Sequence, residues 1–164
     1  MNVNNTKRSI GKQDVGPYYW IGKCNNGIEY FAGQTFNSQS KAVLKTIKIH
    51  PVFIVGSTDI ILNLFELNND KKEWKTVAKE TSVFVDKTTE GQWIEFAINN
   101  VPLDASKKYG FKVRCKNAGM IAISENPWTE LDPYKGGEEW VGSSANPEGT
   151  FHKDFDLAFE AIIE

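Results

Sequence analysis

The sequence predicts an all-β protein: an antiparallel two-sheet β-sandwich of jelly-roll type, with about eight or nine strands. Three observations lead there. Apolar and polar residues alternate with period 2 along most of the chain. Turn-forming residues interrupt that alternation at roughly 8 to 12 residue intervals. No window combines helical spacing with helix caps.

Glu29 to Phe36 begins the strand-like region, and Val43, Lys45, Ile47 and Ile49 oppose Leu44, Thr46 and Lys48 in the next run. Asp59 to Leu67 is apolar on both faces apart from Asn63 and Glu66, the pattern of a central strand covered on both sides. Trp74 to Val85 follows. Ile94, Phe96 and Ile98 then oppose Trp93, Glu95 and Ala97, and Tyr109, Phe111, Val113 and Cys115 oppose Gly110, Lys112, Arg114 and Lys116. Gly119 to Glu125 and Phe155 to Ile163 complete the set. Asn68-Asn69-Asp70 is expected to turn the chain toward Trp74, Glu90-Gly91 to lead into Trp93, and Asn117-Ala118-Gly119 to close a short hairpin. Lys71 to Lys75 could form a short turn. Two segments read as irregular: residues 1–27, with the cluster Tyr18-Tyr19-Trp20, and residues 126–153, which hold three prolines and four glycines.

The 164 residues are expected to form one domain, 1–164, large enough to bury a core without a metal or disulfide staple. A formal charge of −2 with 24% charged residues gives no basic stripe, so nucleic acid is not an expected partner. No apolar run is long enough to span a bilayer. The polar start, with Lys7, Arg8 and Lys12, has no apolar signal-peptide core. That leaves an intracellular protein, a mature extracellular or cell-surface fragment, or a chain with an added Met1. Cys24 and Cys115 form no metal-binding or redox spacing, and the phase of Cys115 points it inward as a buried thiol.

Read in order, the chain presents Gln34-Thr-Phe36, Leu44-Lys-Thr-Ile-Lys-Ile49, Ile61-Leu-Asn-Leu-Phe-Glu-Leu67, Gly91-Gln-Trp-Ile-Glu-Phe96, Val101-Pro-Leu-Asp-Ala-Ser-Lys-Lys-Tyr-Gly-Phe-Lys-Val113, Asp132-Pro-Tyr-Lys-Gly-Gly137 and Asp154-Phe-Asp-Leu-Ala-Phe159. This succession resembles the jelly-roll β-sandwich accessory domains of bacterial extracellular and surface proteins, which look like carbohydrate-binding modules. The resemblance implies a non-catalytic module that accompanies hydrolases or adhesins, outside the cell or on its surface.

The candidate ligand-binding residues are Trp128, Tyr134 and Trp140, with Asp132 and Glu139 beside them. Aromatic faces pack on the C–H faces of sugar rings, and carboxylates accept hydrogen bonds from hydroxyls. Glycan is therefore the leading ligand class, provided that these rings are open to solvent. The alternative is that they plug the end of the sandwich, as Trp and Tyr commonly do. Tyr18-Tyr19-Trp20 is a second aromatic candidate, whose alternate rings face solvent if the segment is extended. Trp74 and Trp93 read as packing residues. His152, Asp154 and Asp156 share a parity and would line one face of a strand, a conceivable metal set, against the plainer reading of a polar edge. No catalytic motif or cofactor signature is present, and His50 and His152 alone offer little for a nucleophilic triad. A small hydrolase stays open, as does a structural or protein-interaction domain of a surface or virion-like assembly.

Overall fold

The computed structural model describes the backbone of residues 8–12 and residues 17–127 and 129–164 in full. Strands form two antiparallel sheets. The smaller has four strands in the order β1 (Arg8–Lys12), β14 (Phe159–Ile163), β4 (Ala42–Ile49) and β9 (Ile94–Leu103). The larger runs β5 (Pro51–Val55), β11 (Met120–Ser124), β2 (Tyr18–Lys23), β3 (Glu29–Asn37), β10 (Lys108–Cys115), β6 (Thr58–Leu67) and β7 (Trp74–Thr76). β8 (Thr81–Val85) also pairs with β6, and β12 (Glu139–Ser143) pairs with both β3 and β13 (Asn146–His152). The chain changes sheets between β1 and β2, β3 and β4, β4 and β5, β8 and β9, β9 and β10, and β13 and β14. These crossings make the sandwich a jelly roll rather than two stacked meanders.

The core lies where the inner faces meet. Phe36, Phe111, Ile60, Leu62, Ile121 and Ile123 of the large sheet face Leu44, Ile47, Phe96 and Phe159 of the small one, all fully or almost fully buried. Each such side chain contributes roughly 1.5–3 kcal/mol by leaving water. Cys115 is buried at the end of this row, and burial pushes its thiol up to about 12.

Several expectations need correction. β1, β2, β12 and β13 fall inside the two segments read as irregular, so the strand segments exceed the expected count. The expected Trp74 to Val85 strand is two short ones, β7 and β8. Asn117 to Gly119 does not close a hairpin: β10 pairs with β3 and β6, while β11 pairs with β2 and β5, so two strands separate them. Alternation along β4 and β9 also slips by one residue. Ala42 and Leu44 point inward on β4, and then Ile47 and Ile49; β9 does the same, with Phe96 and Ile98 followed by Val101 and Leu103. The register shifts between Leu44 and Thr46, opposite Asn100, which takes a φ of 52°. An irregular residue on each strand resets both faces together.

Candidate functional site

The segment between β11 and β12 is tied down from beneath by a buried polar network. The Gln34 side-chain amide donates to Asp156 Oδ1 at 2.7 Å, and the Tyr134 backbone N–H donates to Asp156 Oδ2 at 2.9 Å. Asp156 N–H donates to Asn126 Oδ1 at 2.7 Å, and Leu157 N–H to Gln34 Oε1 at 2.9 Å. Asn126 in turn donates to the carbonyls of Glu130 and Asp154. Burial raises the Asp156 carboxyl to about 6. Glu139, also buried, is pushed well above the usual carboxylate range by burial and then by its hydrogen-bonded neighbour Glu125.

This network decides where the expected site residues stand. Trp128 lies outside the described residues. Asp132, at φ 49°, pairs with the Lys135 ammonium at 3.1 Å and is partly exposed. Tyr134 packs edge-on against Phe159, with ring centres 5.2 Å apart, and its hydroxyl sits against Asn37. Glu139 is 1% exposed and points inward beside Gln34, so it offers no acceptor to a ligand in solution. Trp140 is also 1% exposed; its indole N–H donates to the Glu148 carbonyl at 3.0 Å and its ring lies against Gly142 and Gly149. The four described residues therefore do not form one open surface: strand alternation sends Glu139 inward, and the β12–β13 hairpin closes over Trp140. His152, Asp154 and Asp156 are not on one face either. β13 ends at His152, Asp154 is exposed in the following turn, and Asp156 is buried.

Exposed rings stand elsewhere on the large sheet. β2 is extended, so Tyr19 packs against the core while Tyr18 and Trp20 take the outer face. Across β11, small Ala122 pairs with Trp20 on one side and with Phe53 of β5 on the other. The rings close over that gap. Trp20 and Phe53 are nearly parallel, at 15° with centres 6.4 Å apart, and Tyr18 stands edge-on to Phe53 at 5.1 Å. Tyr18 is 46% and Phe53 43% exposed, and Val55 on the same edge strand is 58% exposed. A contiguous apolar patch of this kind marks an interaction site more often than isolated surface apolar residues do. Sequence alternation identifies the Tyr18 and Trp20 half of it. Phe53 was not legible, because Pro51–Val55 is a short strand opening on proline, whose missing N–H suits a sheet edge.

A second aromatic region lies over β10. Gly110 leaves room for the Trp74 ring, and Lys112, the next outward-facing residue, extends between Trp74 and Trp140. Its ammonium is 4.1 Å from each ring centre and 5.5 Å from that of Phe65. Burial lowers that ammonium to about 8, while the ring faces, which attract only the charged form, oppose the shift. Trp74 thus packs, as expected, and also helps to enclose a cation.

No protein-family description and no curated protein matches the sequence. Among the solved structures that share the fold are two clostridial ones. One is a clostridial cysteine protease, Cwp84 after propeptide cleavage, at TM-score 0.61 and 12% identity over 96% of this chain. The other comprises the cysteine protease and lectin-like domains of Cwp84, a surface layer associated protein of Clostridium difficile, at TM-score 0.51 and 9% identity over 96% of this chain. The chain spans 40% and 36% of those two chains, and at such identity the likeness is one of β-sandwich fold.

Proposed function

We propose that this chain is a non-catalytic glycan-binding module of the bacterial surface or extracellular space, whose ligand rests on the Tyr18, Trp20 and Phe53 rings. The observation that carries the reading is the three-ring platform on the outer face of β2 and β5. Flat, solvent-open rings on rigid strands suit the C–H faces of sugars, and the strands hold them in place before binding, which limits the ordering cost. The shared fold adds support, because one structure with that fold carries a lectin-like domain on a surface layer associated protein.

The same structures also carry a cysteine protease, so the thiols matter. Cys115 is buried with its thiol pushed to about 12, the reverse of an activated nucleophile. His50 stacks on Trp93 with ring centres 5.0 Å apart and bonds through Nε2 to the Gly91 carbonyl at 2.9 Å. These placements favour binding over turnover.

Calorimetric titration against neutral oligosaccharides of β-1,4-linked glucose, xylose and N-acetylglucosamine tests the reading. At least one is expected to bind, and Trp20→Ala or Phe53→Ala to weaken it about tenfold, or ~1.4 kcal/mol. Absence of binding by every neutral sugar, or affinity unchanged in both variants, overturns it. The patch also lies on an edge strand with Phe53 and Val55 exposed, which suits a protein contact. An oligomer that dissociates on Phe53→Ala, without any glycan binding, selects that second reading.

A further inference from the structure

The aromatic enclosure of Lys112 borders two clefts that meet at Lys112 and Pro147. The smaller, of about 210 Å³, is lined by Phe31, Asn63, Phe65, Arg114 and Trp140. The larger, of about 740 Å³, has Trp74 and Phe151 as its aromatic wall, with Lys71, Lys72, Asp70 and Glu148 around it. Trp74 and Phe151 are nearly parallel, at 14° with centres 6.0 Å apart. The platform of Tyr18, Trp20 and Phe53 contributes no residue to either cleft.

The charges around these clefts are unevenly satisfied. Lys71 pairs with Glu138 at 2.7 Å, and Arg114 with Glu80 at 3.7 Å. Asp70 is turned to its own loop, where it accepts from the Lys72 N–H, and Glu148 is exposed on the hairpin. Lys112 has no ion pair or hydrogen bond among the described residues, and its ammonium lies over the rings of Trp74, Trp140 and Phe65. A half-buried cation without a counterion retains most of its capacity to attract an anion, since little water screens it. Rings beside it supply the surface on which a sugar ring packs.

We infer that the cleft at Lys112 is a second glycan subsite, specific for a carboxylate-bearing sugar whose ring packs on Trp74 and Phe151 while its carboxylate meets the Lys112 ammonium. Of the lysines lining the cleft, Lys71 is paired with Glu138 and Lys72 is exposed to solvent, so the half-buried Lys112 ammonium is the charge that one carboxylate would meet. The inference stands on residues separate from those of the neutral-sugar platform, so either can fail alone.

The test uses an α-1,4-linked galacturonate trimer and its fully methyl-esterified counterpart, which keeps the rings and removes the charge. By calorimetry the acid trimer is expected to bind at least tenfold more tightly than the ester. Lys112→Met, which keeps the aliphatic stem, is expected to erase that preference, while Phe53→Ala leaves it intact. Equal affinity of the two trimers for the unsubstituted protein overturns the inference without any variant. So does a preference that survives in Lys112→Met, or competition by inorganic phosphate at the trimer's own concentration, which would make the site one for phosphate. Concentration-dependent association by sedimentation that Lys112→Met or Trp74→Ala abolishes would assign the cleft to a second copy of the chain, and likewise overturns it.

Discussion

Gly149 and Trp140 are in direct contact: a Cβ built at Gly149 would stand 2.5 Å from the indole Cε2 and would overlap the Val141 carbonyl. Gly149 also has a φ of 66°, a region that L side chains rarely adopt. The closure of the β12–β13 hairpin over Trp140, and with it one wall of the Lys112 enclosure, therefore requires glycine here.

Gly149→Ala is accordingly expected to destabilise the fold by about 1–3 kcal/mol, combining backbone strain with a steric clash. Urea denaturation checks this. The variant should also expose Trp140, which tryptophan fluorescence would register as a red shift in the native baseline. Unchanged stability and emission would mean that the hairpin does not depend on this contact.

Removing Phe53 should cost little stability. It is 43% exposed and outside the buried core cluster, so Phe53→Ala is expected to change the unfolding free energy by less than about 1 kcal/mol. Phe111→Ala, which empties a fully buried position, should cost about 3–5 kcal/mol. Comparable losses in the two variants by denaturation would show Phe53 to be part of the core support.

The raised Asp156 carboxyl gives stability a pH dependence of definite sign. Its folded value of about 6 lies above the 3.8 of an ordinary aspartate, so the folded chain holds a proton that the unfolded chain has released between those two values. Stability from this group is full below about pH 4 and is lost as pH rises through about 6. Glu139 acts in the same direction. Denaturation midpoints measured from pH 4 to 7 should fall less steeply in Asp156→Asn than in the unsubstituted protein. Parallel profiles would remove Asp156 as the source.

The sandwich was legible because alternation is a local property: Phe96 and Ile98, or Tyr109 through Cys115, show the buried side of their strands directly. What local pattern does not contain is which strands are neighbours. Asn117 to Gly119 has hairpin composition, yet β2 and β3 come between the strands it joins. The same gap hid the platform, since Trp20 and Phe53 are far apart in sequence and meet only because β11 places Ala122 between them. It also made Trp140 and Glu139 look available. Aromatic and acidic residues in a turn-rich stretch suit a binding loop, but β12 adds them to the sheet beside β3, one under a hairpin and one in the interior. Lys112 read as an ordinary solvent-facing residue of β10, because nothing local shows two indoles converging on its side chain.

Residue-resolved NMR during titration with the neutral oligosaccharide that binds most tightly tests the central claim most directly. Glycan recognition by the three-ring platform predicts that the largest shifts appear at Tyr18, Trp20, Phe53 and the intervening Ala122, including the Trp20 indole N–H. Shifts confined to other surfaces, or a spectrum unchanged by every neutral sugar, would contradict it.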